Sequence, residues 1–193
     1  MSRRGLTRAE VVRAATELIE DEGTGGFSLR GLARRLHIKA SSLYNHISGM
    51  DELFTEVGYY AIGELKRTQL AAIDGKRRDD AVLALAEAYY RFGKERPELY
   101  KVILSLPMVK NDALLSAAGD IVEPIMAAMD GYILSGADKM HLQRVLQSIM
   151  HGFISQEEAG CFRHFPVEIS ESYRMAVRGL ILLLDDLENE ASE

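Results

Sequence analysis

Residues 28–53 read SLRGLARRLHIKASSLYNHISGMDEL, and the spacing of apolar and turn-forming residues in this stretch decides the fold. Ser28 stands at a helix N-cap position ahead of Leu29, Leu32, Ala33 and Leu36, which share one helical face while Arg30, Arg34 and Arg35 project from the other. A break at His37 and Ile38 precedes a second short segment over 40–46, and Ser48-Gly49 makes another turn before Asp51 opens a long helix. Two short helices joined by a tight turn form a helix-turn-helix. Ala33 is small where the two helices cross, and Ile38 and Leu43 anchor the second helix to the core. His37 occupies the turn position where Gly is usual, a place that requires positive φ, which His visits more readily than most residues.

On the N-terminal side, Thr7 and Glu10 form a T-x-x-E capping box that opens a helix running to about Glu22. Val11, Ala15, Leu18, Ile19 and Glu22 recur at helical spacing, and Gly23, Gly25 and Gly26 end the helix. On the C-terminal side, helical patterns cover 51–73, 78–96, 97–105, 111–132, 138–159 and 170–187. Pro97 suits a first helical position, whereas Pro124 lies inside a helical pattern and should kink it or mark a gap beside a pocket. Asp185, Asp186, Glu188, Glu190 and Glu193 make an acidic tail expected to fray. With no alternating strand pattern, the chain reads as all-α with about nine helices: a three-helix N-terminal domain over 1–50 and a larger helical domain over 51–193.

The formal charge of −6 hides a division along the chain. Residues 1–50 hold eight Arg and Lys against five acids, a balance of +3, which leaves −9 for the remainder. One end therefore suits a polyanion. Cys161 is the only cysteine, so no intrachain disulfide or thiolate metal cluster can form, and a reducing cytoplasm suits the chain. Apolar runs such as Leu180 to Leu184 are far short of a membrane span, and the polar, basic start is unlike a secretory leader. His37, His46, His141, His151 and His164 are scattered, and His151 with Glu157 and Glu158 lacks the i, i+4 spacing of a helical metal pair. No nucleophile elbow, phosphate loop or dinucleotide fingerprint is present, so no enzyme, cofactor or metal is expected.

In the stretch 28–53, Leu43-Tyr44-Asn45-His46 together with Arg30, Leu32 and Ala33 resembles the tetracycline-repressor (TetR) family of bacterial regulators. Farther on, Pro97-Glu98-Leu99-Tyr100 and Met150-His151-Gly152-Phe153-Ile154 resemble a C-terminal subgroup of that family, although its usual Trp before the His-Gly pair is missing. The resemblance implies a dimer, a roughly palindromic operator in double-stranded DNA, and a C-terminal pocket whose ligand alters DNA affinity. Lys39, Ala40, Ser41 and Ser42 supply the short or basic side chains that the leading end of a recognition helix needs in the major groove. Lys39 and Asn45 are the candidates for base edges. Tyr44 and His46, by the family pattern, would bond phosphates, with Arg30 reaching the backbone or a guanine and Arg3 and Arg4 forming an arm. Met50 stands where the family often has Lys, at a position that the resemblance associates with a phosphate contact. The competing readings are a solvated face for Arg34, Arg35 and Asn45, and a core position for Tyr44.

The last helix carries Ile169, Tyr173, Ala176, Val177, Leu180, Ile181 and Leu184 on one face and Met175, Leu182 and Leu183 on others. A helix apolar nearly all round is covered on both sides, most simply by a second copy in a four-helix bundle with 138–159. The expected homodimer interface is Leu146, Phe153, Tyr173, Val177, Leu180, Ile181 and Leu184, the alternative being the centre of a monomeric core. Tyr60, Tyr89, Phe92, Met108, Met126, Met129 and Met150, with Gln147 and His151 as polar insertions, suit an adaptable pocket for a small apolar effector, or an ordinary core. The expected function is a ligand-responsive transcription regulator, most simply a repressor. A constitutive DNA binder and a helical enzyme are the rivals.

Overall fold

The computed structural model describes residues 6–106, 112–164 and 166–190, and for 112–116 the backbone alone. Among the described residues the regular structure is all helical: α1 (Arg8–Glu22), α2 (Leu29–Arg35), α3 (Ala40–Leu43), α4 (Met50–Ile73), α5 (Arg78–Glu95), α6 (Pro97–Leu104), α7 (Asp112–Ala128), α8 (Gly136–Glu158) and α9 (Ile169–Glu190). Local chemistry sets several of these ends. Thr7 Oγ1 accepts from the Glu10 amide while Glu10 Oε2 accepts from the Thr7 amide, the reciprocal box expected from the sequence. Ser28 Oγ accepts from Gly31 N to open α2, and Ser135 does the same for α8 through Asp138 N. Pro97 stands in the first turn of α6, where its missing N–H leaves no extra orphan donor.

Three segments depart from the sequence reading. The second helix of the motif is a single turn ending at Leu43, and Tyr44 to His46 continue as turns held by Asn45 N to Ser42 O and His46 N to Leu43 O. Helix α7 stops at Ala128 rather than running to residue 132, and Tyr132 is held by a hydrogen bond to Asp79 and by the Arg78 guanidinium 4.4 Å from its ring centre. Of the acidic tail, Asp185, Asp186, Glu188 and Glu190 are helical rather than frayed, and Glu193 lies outside the described residues. Helix α9 continues to Glu190 because Asp185 and Glu188 accept Arg78 at 2.9 and 2.7 Å.

The chain forms two compact units: Met1–Glu64 with Glu95–Ala117, and Leu65–Lys94 with Ala118–Glu193. Each has its own interior. In the first, Val11, Ala15, Leu18, Ile19, Leu32, Ala33, Leu43, Leu53, Val57, Ala61, Leu99 and Val102 make a continuous core, so α6 packs with the helix-turn-helix. In the second, Leu85, Met129, Leu146, Met150, Ile154, Tyr173, Val177 and Leu184 are fully buried. Tyr173 Oη donates to the Ala86 carbonyl at 2.7 Å, and burial pushes that phenol's pKa up.

Candidate nucleic-acid interface

The turn between α2 and α3 has the geometry that the sequence requires. His37 takes φ +54°, its amide donates to Arg34 O, and Ile38 N donates to Ala33 O. Those two bonds are the paired closure of a Schellman cap, which satisfies two of the orphan carbonyls of α2. Leu43 is fully buried and Ile38 packs on the same core, which fixes the roll of α3 and the turns after it.

That roll decides what faces solvent. Tyr44 is 60% exposed, so the core reading of this aromatic does not hold. Lys39, Ser41 and Asn45 are exposed as well, while Ser42 and His46 are half-buried. Arg30 and Arg34, four residues apart on the outer side of α2, are exposed and make no ion pair among the described residues, as is also true of Lys39. Arg35 differs: it reaches Asp21 at 2.6 Å and Glu17 at 3.4 Å, and is occupied by α1. Met50 starts α4 packed against the core. Arg3 and Arg4 lie outside the described residues.

A clasp that the sequence reading did not include ties this surface to its neighbours. Arg8 donates to the His46 carbonyl at 3.3 Å and to Glu52 and Glu56, and Glu52 accepts from Ser48 N. Hydrogen bonds from Ser48, with the Arg8 guanidinium beside them, hold the Glu52 carboxyl down at about 2. On the other side of the same core, Arg96 Nε and Nη2 grip both oxygens of Glu20 at 2.6 and 3.0 Å, and Glu98 accepts from Thr24 N at 2.8 Å. No local pattern in the sequence announces partners tens of residues apart.

The expected ligand-site residues divide between the units. Tyr60 packs on the core of the first. In the second, Tyr89, Phe92, Met129 and Met150 are buried, Met126 is half-buried, Gln147 Oε1 accepts from Gln143 Nε2, and His151 lies within 3.4 Å of Ser155 Oγ. Met108 is outside the described residues. Of the expected interface, Leu146, Tyr173, Val177, Leu180, Ile181 and Leu184 are buried by the chain itself, and only Phe153 stays partly open. The uncovered apolar stripe of α9 is the opposite one, with Met175, Leu182 and Leu183 exposed around Gly179. On α8, Val145, Ser148, Ile149, Gly152 and Phe153 line an open groove of about 510 Å³. A side chain added at Gly152 or Gly179 would meet nothing within 4 Å. Among the described residues no helix is long and apolar enough to cross a membrane, and no acid, His and Cys cluster could hold a metal ion.

Comparison with known proteins agrees with this architecture. Residues 11–57 match the family described as bacterial regulatory proteins, tetR family, and residues 82–180 match the tetracyclin repressor-like C-terminal domain. The uncharacterized HTH-type transcriptional regulator YobS of Bacillus subtilis is 30% identical over 181 residues, covering 92% of this chain and 94% of that protein. The uncharacterized HTH-type regulator Rv0681 of Mycobacterium tuberculosis is 29% identical over 156 residues, covering 80% and 72%. Among solved structures, a protein of unknown function from Rhodococcus superposes with TM-score 0.74 at 19% identity, over 94% of this chain and 96% of that one. A TetR variant of Acinetobacter baumannii in complex with minocycline gives TM-score 0.68 at 15% identity, over 95% and 99%. The fold, the exposed helix-turn-helix surface and these relatives converge: the chain belongs to the TetR family of DNA-binding transcriptional regulators.

Proposed function

We propose that this chain works in the cytoplasm as a homodimeric repressor that holds a two-fold operator through α2, α3 and the turns after them, and releases it when a small, mainly apolar effector enters the second unit. The observation that carries the reading is the exposure of Tyr44 beside exposed Lys39 and Asn45, a large aromatic kept out of a core that has ample apolar residues without it. A phenol with a free hydroxyl next to unpaired cations suits phosphate oxygens. Lys39 and Asn45 would read base edges, Arg30, Ser41, Ser42 and His46 would position the backbone, and Arg3 and Arg4 would form the arm.

A second copy of the chain is the natural cover for the open stripe of α8 and α9, since Gly152 and Gly179 let the helices of two copies approach closely. The two readers would then meet half-sites roughly 34–36 Å apart, or a multiple of that spacing. An effector among Tyr89, Phe92, Met126, Met129, Gln147, Met150 and His151 would favour the state unable to bind DNA. A preference of ~1–3 kcal/mol weakens operator binding ~5- to 150-fold.

Fluorescence anisotropy on an operator selected from random DNA tests the reading. Tyr44→Phe should weaken binding to every sequence about tenfold per half-site, the loss of one hydrogen bond to a charged group in each half. Arg30→Ala should weaken it and flatten the salt dependence by about one unit per half-site, and Lys39→Ala should relax base preference. Parent-like binding by both Tyr44→Phe and Arg30→Ala would place the DNA surface elsewhere.

A further inference from the structure

In the second unit, Gln69 lies on α4 at the helical spacing that buries Ala61, Ile62 and Leu65, so an amide occupies a core position. Gln69 is only 1% exposed, and its Nε2 has no hydrogen-bond partner. One turn earlier Lys66 joins α4 to α7 through Asp120 and Glu123, each at 2.7 Å. Four residues after Asp120, the buried Pro124 has no N–H to give the Asp120 carbonyl, so this part of α7 lacks a helical hydrogen bond beside the α4 segment that carries the unpaired donor. The other buried amide of this unit, Gln143, is engaged, donating to Gln147 at 2.6 Å.

Buried donors without acceptors are rare and call for a reason. A lone water is a poor one, because it needs two to four polar partners and the buried residues of this unit are, apart from the engaged Gln143, mostly aliphatic with a few Met, Phe and Tyr. A mainly apolar molecule carrying one acceptor oxygen fits better: carbon fills the apolar surroundings and the oxygen takes the amide proton. We propose that the interior of the second unit, beside α4 and α7, binds an apolar ligand bearing a carbonyl, whose oxygen accepts a hydrogen bond from Gln69 Nε2. This deepens the effector reading above and rests on it for the ligand's role, though not for its binding.

A matched pair of probes tests the assignment. Acetophenone and α-methylstyrene have the same shape and differ in carrying C=O or C=CH2, and their affinities are measured by NMR titration against the full chain. The unaltered chain should bind acetophenone about tenfold more tightly, the ratio that one hydrogen bond of ordinary net strength gives. Gln69→Met, nearly isosteric, should abolish that preference and, by removing a buried orphan donor, raise the melting temperature by ~2–4 °C. Gln69→Leu provides a second apolar variant should the first fold poorly. Equal affinity for the two probes, binding of neither at millimolar concentration, a preference kept in both variants, or variants that melt below the parent would each overturn the proposal. Operator binding by the unaltered chain is measured on the same preparation. A chain that prefers acetophenone through Gln69 and ignores DNA would sink the regulator reading and leave the ligand site standing.

Discussion

His37 is the residue at which the recognition motif is most constrained. Its φ of +54° is a left-handed conformation that any side chain with a Cβ adopts at a cost of roughly 1–2 kcal/mol, less for His than for β-branched residues. Both cap bonds, His37 N to Arg34 O and Ile38 N to Ala33 O, need that conformation. His37→Val should therefore destabilise the chain by about 1–2 kcal/mol, and His37→Gly should be neutral or stabilising, read as thermal midpoints. A Val variant as stable as the parent would mean that the turn relaxes to another geometry. Glu52 sets a second condition at this scale. Its folded pKa of about 2 lies below the ordinary 4.5, so its contribution to stability is complete above about pH 4.5 and is lost as pH falls toward 2. The Ser48 amide proton, followed by NMR, should hold its shift through pH 4.5 and move only below it. Movement centred near pH 4.5 would show that the Glu52 clasp does not form in solution.

At the scale of elements, α6 is the instructive case. Its leading residue pairs bind backward in the chain, Arg96 to Glu20 on α1 and Glu98 to Thr24 just after it. The Arg96 fork on Glu20 is bidentate and about 28% exposed on both sides, a setting in which geometry is held and screening is partial. Removing one partner leaves the other charge half-buried, so Arg96→Met should destabilise by about 1–3 kcal/mol, while a double-mutant cycle with Glu20→Gln should return part of that loss as coupling energy. Additive losses would mean that the two side chains do not meet. The helix-turn-helix was readable because each of its signals is local: Thr7 three residues from Glu10, Ser28 three from Gly31, His37 within its own turn. The place of α6 was not, because what holds it lies 76 residues away and nothing near Arg96 marks its partner. The same limit explains the ligand-site residues. Tyr60 and Tyr89 look alike in sequence, yet one packs on the first core and the other in the second.

For the whole molecule, the proposed homodimer poses the question of which apolar face of α9 would meet the second copy. Composition shows that both faces are apolar, and only the folded chain separates them: Leu180 is 3% exposed and Leu182 is 71% exposed, two residues apart on one helix. The stripe of Leu180 is buried by the chain itself, and the interface proposed above uses Met175, Gly179, Leu182 and Leu183 with the groove on α8. Two substitutions of the same chemistry should then have different outcomes. Leu180→Glu drives a charge into the chain's own interior and should unfold the second unit, seen as lost helical circular dichroism. Leu182→Glu places its charge on the monomer surface, where it is solvated, but would bury it in the proposed dimer at a cost of ~3–5 kcal/mol per copy, of the order for an unpaired buried charge. That cost, met in each copy, weakens association by at least about a hundred- to several-thousandfold, so sedimentation equilibrium should show a folded monomer. Half-sites read by independent monomers lose the gain of linked binding, and operator affinity should fall with dissociation even though Tyr44, Lys39 and Arg30 are untouched. A Leu182→Glu chain that sediments as an intact dimer would put the interface elsewhere, and a Leu180→Glu chain that stays folded but monomeric would return the interface to the opposite stripe.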